Sequence, residues 1–115
     1  MITEEVNSYD LLILGGNVKT SRGTLEQSET PYVRGTVLAK LSDDLYGVCK
    51  SDHETEVNQT PNCILLEDVD ATESSVDNIA ILLAGDVETS QVVTMDPDTT
   101  DTHKESLRAL SIYLK

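Results

Sequence analysis

The amino-acid sequence predicts a small, β-rich α+β domain of short antiparallel strands with one C-terminal helix. Three observations carry that reading. The apolar residues gather in runs of strand length, "YDLLIL", "LYGVCK", "CILLED" and "NIAILLAGDV", bounded by Gly, Asp, Asn and Ser. A helix start signal followed by apolar residues at helical spacing occurs once, near the end. The 115 residues suit one domain, residues 1–115, whose core is limited by its small volume.

Residues 9–14 (YDLLIL) form an extended apolar segment, and Gly15-Gly16-Asn17 reads as the turn that closes it. The polar stretch 21–30, broken by Gly23 and Leu25, reads as a loop or weak strand before Pro31. Residues 32–41 alternate around Val33, Gly35, Val37 and Ala39, which favours a strand. Ser42-Asp43-Asp44 turns the chain and residues 45–50 return, so 33–50 reads as a hairpin. Residues 51–61 are polar and lack an apolar period, as a surface loop does.

Residues 63–68 and 78–87 make a second pair of strands, joined by the acidic and small residues 69–77. Residues 91–95 extend that pair until Pro97 breaks it. The helix covers about residues 102–110. Thr102 and Glu105 form a capping box, Asp98 and Asp101 complement the N-terminus, and His103, Leu107 and Leu110 share one face. The final "SIYLK" is an extended tail.

Charge narrows the function. Eight Lys and Arg against 21 Asp and Glu give a formal net charge of -13, so nucleic acid and anionic membranes are repelled. Base stacking also needs exposed aromatics, and the chain has four Tyr with no Trp or Phe. A hydrophobic share of 38% implies thin burial, which self-association or a larger surface would supplement. With neither a secretion signal nor an apolar stretch of roughly 20 residues, the expectation is a soluble protein made in the cytosol. The sequon at Asn58-Gln59-Thr60 then reads as chance. Cys49 and Cys63 lack metal spacing and read as small buried hydrophobes; a zinc site shared with His53 would need tighter pairing of the cysteines.

The stretch "ILLEDVDATES", residues 64–74, poses the chemical question. An apolar strand feeding Asp68-x-Asp70-x-Thr72 looks like the nucleophile strand of an aspartate-dependent phosphotransferase. That chemistry needs a parallel sheet alternating with helices, and this chain offers one helix. A calcium loop needs Gly and Glu where Glu73 and Ile79 stand. "GGNVKTS" resembles a phosphate-binding loop only at Lys19-Thr20. His53 and His103 have no nucleophile nearby in sequence, and His103 on the leucine face reads as packed. The expectation is an acidic turn and no enzyme: no catalytic residue, metal, cofactor or small-molecule substrate.

Taken together, "RGTVLAKL" (34–41), "ILLEDVDAT" (64–72) continuing to "LLAGDV" (82–87), and "HKESLRALSIYLK" (103–115) resemble the head decoration proteins of tailed bacteriophages, the group typified by the lambda head protein D. The lead-in "YDLLILGGNVKT" adds to the likeness, which spans nearly the whole chain in order. Two departures stand out: Ser111 replaces a Gly that commonly closes the helix, putting a left-handed cap in doubt, and Ala39 replaces a frequent Gly.

The resemblance implies the family's small β-tulip-like fold and a protein of the virion, made in the bacterial cytoplasm and bound to the outer surface of the head. It implies trimers on local three-fold positions of the expanded capsid, cementing it against DNA pressure, with the major capsid protein and copies of itself as partners. The other reading left open is an acidic interaction module, or the base of another virion appendage, using the same fold. Residues 1–14 are expected to form an N-terminal arm, with Tyr9, Leu11, Leu12 and Ile13 gripping the capsid by strand addition. The alternative is that "YDLLIL" packs in this domain as its first strand.

Overall fold

Val37 and Ala39 point to one side of their strand and Leu38 to the other, yet all three are buried. The same holds for Ile64 between Cys63 and Leu65, and for Leu82 beside Ile81. Strands apolar on both faces must be covered on both faces, and that requirement sets the architecture. The computed structural model describes residues 12–115. Along them run β1 (Ile13–Leu25), β2 (Val37–Ser42), β3 (Leu45–Val48), β4 (Cys63–Leu65), β5 (Val76–Val87), α1 (Thr100–Ala109) and β6 (Ile112–Leu114), with short 3-10 turns at Glu56–Gln59 and Thr89–Gln91.

The strands are ordered β1-β3-β2-β4-β5, and β5 pairs back onto β1, closing a five-stranded ring. β6 lies parallel to the end of β5, opposite β1. One core group, on one face of β2, β4 and β5, holds Val37, Ile64, Leu82 and Val87 with Leu12, Leu107 of α1 and Ile112 of β6. On the other face Leu25, Leu38, Leu65, Ile79 and Ile81 pack with Tyr32 and Tyr46.

The β-rich α+β class is as expected, as are the β2–β3 hairpin and the antiparallel β4–β5 pair. Several details differ. The strands are not all short and the sheet is mixed: β1 has 13 residues and β5 has 12, while β1–β3 and β5–β6 are parallel pairs. Gly15-Gly16 does not end the first strand. With φ of 131° and 79°, these glycines form an irregularity inside β1, where its register against β5 shifts, and the chain runs on. Residues 21–25, polar enough to suggest a loop, pair with Ile81 through Val76 of β5; ladder bonds to a buried neighbour outweigh their weak strand preference.

β2 starts at Val37, later than expected. Gly35 sits at φ 96°, where a Cβ would collide with the Gln91 carbonyl oxygen. The chain bends there, and Tyr32 and Thr36 make isolated bridges to Val69 and Val93. Residues 91–95 therefore join the approach to β2 and do not lengthen β5.

The helix also begins earlier. Thr99 is its N-cap and donates its backbone N–H to Thr102 Oγ1 at 2.9 Å. Thr102 is thus the inner member of the capping box, and Glu105 instead meets Arg108 at 3.0 Å. Of the three residues assigned to the apolar face, His103 and Leu107 are buried and Leu110 is exposed, because the helix ends there. Ser111 does adopt the left-handed conformation, φ 70°, and donates its N–H to the Arg108 carbonyl at 2.9 Å. That cap turns the tail into the sheet as β6.

Candidate functional site

Of the four residues expected to grip a partner, Tyr9 and Leu11 lie outside the described residues. Leu12 is 1% exposed, packed with the core group that contains Val87, Val92 and Ile112. Its carbonyl accepts the Glu88 N–H at 2.8 Å. Ile13 is half-buried and pairs with Val87 as the first residue of β1. The turn after β5 also takes the other end of the chain: Thr89 N–H and Oγ1 donate to the Lys115 carbonyl at 3.1 and 2.8 Å. Leu12 and Lys115 therefore lie beside the same short stretch, Val87–Thr89.

The carboxylates of the acidic turn are taken up by hydrogen bonds within the domain, Asp70 by the turn itself and its neighbours by other segments. Asp68 Oδ1 accepts the Arg34 N–H at 2.7 Å, and Glu67 Oε2 accepts the Ala80 N–H at 2.7 Å. Asp70 Oδ1 accepts both the N–H and the hydroxyl of Thr72, at 3.1 and 2.6 Å. The hydroxyl bond first, then the backbone bond, holds the Asp70 carboxyl below its ordinary range. Asp77 accepts from Thr24 Oγ1 at 3.1 Å. These carboxylates shape a loop, as the acidic-turn reading anticipates. Among the described residues no three His, Cys, Asp or Glu side chains converge as metal ligands would.

One polar group is buried at the helix start. Asp98 accepts the N–H and hydroxyl of Ser51 at 2.8 and 2.5 Å and contacts His103 Nε2 at 2.9 Å. Burial would raise the Asp98 carboxyl, but the bonds from Ser51 and His103 outweigh it and hold the group low. Serine bonds the aspartate and not the histidine, and the Cys49 Sγ that lies 4.0 Å from His103 Nε2 is buried with its thiol pushed up to about 12, while the same ring nitrogen already meets Asp98, so the arrangement lacks the activated nucleophile of a hydrolytic triad. It is a clasp between the β3 exit and α1. His103 is the packed histidine expected. Cys49 and Cys63 are free and fully buried. Burial foremost pushes each thiol up to about 12, with the Asp98 charge adding at Cys49 and Cys49 adding at Cys63.

Sequence reasoning missed an exposed apolar surface. Leu83, Leu110 and Tyr113 line a recess of about 280 Å³ together with Asn17, Lys19, Ala84, Gly85 and Ser111. Leu14 and Val18 of β1 are exposed as well. Leu83 and Leu110 sit in runs that read as a buried strand and a helix face, so hydrophobicity alone hides them, and Tyr113 lies in the stretch read as an extended tail. The arrangement offers contact area and no reacting group.

Comparison with protein families gives a match over residues 1–112 to the model described as bacteriophage lambda head decoration protein D. No curated protein matches the chain.

Proposed function

Since the chain belongs to the bacteriophage lambda head decoration protein D family, whose members are structural and not enzymatic parts of the phage capsid, we propose that it binds the outside of the expanded head as trimers at local three-fold sites and cements the shell against internal DNA pressure. The observation that carries this reading is the match over nearly the whole chain. The acidic turn and the buried clasp support it, because every carboxylate named in them is engaged in holding the fold. The major capsid protein and other copies of this chain are the partners, and a molecule carrying a charge of -13 has no use for nucleic acid or an anionic membrane.

The capsid grip belongs to the N-terminal segment with Tyr9, Leu11, Leu12 and Ile13. Leu12 itself is buried in this domain's own core, so its part in the grip is to anchor the start of β1 and not to contact the capsid. Strand addition to a capsid element would draw its affinity from backbone hydrogen bonds and its specificity from alternating side chains.

Cosedimentation with expanded and unexpanded heads of its own phage, followed by particle reconstruction, tests the whole reading. Binding to expanded heads with three-fold density is expected. No binding, or density confined to vertices, refutes it. For the grip, removal of residues 1–10 should leave the unfolding transition unchanged and abolish head binding. Removal through residue 14 should also unfold the domain, because it takes out Leu12.

A further inference from the structure

The two histidines of this chain are wired in opposite senses. His103 Nε2 meets the Asp98 carboxylate at 2.9 Å. An ionised carboxylate only accepts, so that nitrogen carries a proton whether the ring is neutral or charged. His53 Nδ1 lies 2.9 Å from the backbone nitrogen of Thr55. A backbone N–H only donates, so Nδ1 must present its lone pair, and the ring must be neutral with its proton on Nε2. The first bond survives protonation of the imidazole; the second cannot exist after it.

His53, half-buried, organises the polar stretch between β3 and β4. Its N–H donates to the Lys50 carbonyl at 3.0 Å, and its carbonyl accepts from Gln59 Nε2 at 2.7 Å. Thr55, held by the ring, opens the 3-10 turn Glu56–Gln59, and its own side chain makes no capping bond there. The Thr55 carbonyl accepts the Asn58 N–H at 3.0 Å, and the Asn58 carbonyl accepts the Lys50 N–H at 2.8 Å. Asn58 is buried and donates its side-chain amide to the Val48 carbonyl at the end of β3, at 2.9 Å. The turn itself lies over β2. Residues 50–59 thus form a strap that closes on itself across the β2–β3 hairpin. Of the bonds named in it, only the one to His53 Nδ1 requires a side chain to stay uncharged.

We propose that His53 is a pH-sensitive latch: with its imidazole neutral the strap is closed over the hairpin, and protonation releases Thr55 and loosens the turn that carries Asn58. A proton on Nδ1 sets one N–H against another, so the ring must leave. Asp52, Glu54 and Glu56, all exposed on the same strap, offer acceptors to the displaced imidazolium. The cations nearby are otherwise placed: Lys50 meets Asp52 at 3.6 Å, and Lys40 of β2 lines a recess with Glu56. The neighbouring fastening, Ser51 on Asp98, does not respond to the same change. Burial would raise the Asp98 carboxyl, but the bonds from Ser51 and His103 hold it low, so it stays charged where imidazoles take up their proton.

Asparagine supplies the control, because its side-chain oxygen takes the place of His53 Nδ1 and accepts a backbone N–H two residues on at any pH. The experiment is amide hydrogen exchange of the full chain by NMR at about pH 8 and about pH 5, with protection corrected for the intrinsic exchange rate at each pH. In the wild type, protection at Lys50, Thr55 and Asn58 should fall roughly three- to tenfold on acidification, the loss of one hydrogen bond, while the amides of β4 and β5 hold. His53→Asn should keep the strap protected at both pH values, and His53→Ala should leave it open at both. A wild-type strap equally protected at both pH values overturns the proposal, as does a His53→Ala strap as protected as the wild type at the higher pH. A His53→Asn strap that loosens with acid as the wild type does would assign the response to another group and overturn it as well.

Discussion

Replacing Ser111 by glycine should stabilise the protein. Ser111 closes α1 at φ 70°, a conformation that costs a residue bearing a Cβ roughly 1–2 kcal/mol. Its N–H already makes the closing bond to Arg108, and its carbonyl accepts the Gly85 N–H at 2.9 Å; glycine keeps both. The side chain is exposed, and its hydroxyl has no hydrogen-bond partner among the described residues, so nothing is lost with it. Against the relief stands the greater freedom of glycine in the unfolded chain, about 0.5–1 kcal/mol. The net gain is about 0.5–1 kcal/mol, or roughly 2–5 °C in the unfolding midpoint for a domain of this size. Denaturant melts with an unchanged slope and a raised midpoint would report it, and Ser111→Ala should move the midpoint the other way. A midpoint that stays or falls in Ser111→Gly would refute the assigned strain.

Asp98→Asn should cost about 2–3 kcal/mol in chemical denaturation, because an amide nitrogen must then face the Ser51 or His103 donors. The folded Asp98 carboxyl is held below its unfolded value, so its contribution is complete above about pH 4 and is lost as pH falls through the lower folded value; acid titration of the Asn variant should show a shallower loss there. Asp68→Asn/Asp70→Asn should leave the thermal midpoint and head binding nearly unchanged, and calcium or magnesium should shift the midpoint of neither protein; a shift abolished by the double substitution would revive a metal site. Cys49 and Cys63, with thiols pushed up to about 12, should resist a thiol reagent at neutral pH and react together at the global unfolding midpoint, whereas fast labelling of the folded protein would contradict their burial.

What the sequence conveys depends on whether the signal is local. The Asp43-Asp44 turn, the 63–65 and 76–87 strands and the helix are legible because each is written in adjacent residues. Continuous runs such as "CILL" are explained by burial on both faces, which periodicity cannot distinguish from any other apolar run. β1 was obscured because Gly15-Gly16 is a turn signal in most settings, and only the partner strand turns it into an irregularity within a strand. The helix cap shifted because Thr99 and Thr102 both fit, and the clasp between Asp98 and Ser51 spans 47 residues. Leu110 shares a helical face with Leu107, and only the end of the helix, invisible in spacing, exposes it.

The first core group has one further consequence, which concerns synthesis. It joins Leu12 to Ile112, so no shorter length of chain contains it. While the polypeptide is still emerging from the ribosome, β2, β3 and β4 can pair, but the face meant for α1 and β6 stays bare until residue 112 is free. Contacts so distant in sequence make for slow closure. A nascent chain in this state exposes Val37, Ile64 and Leu82 to its surroundings, and a message cut short before that point yields a product that cannot hide them. The cell's chaperones and proteases would therefore meet every incomplete copy before any shell does.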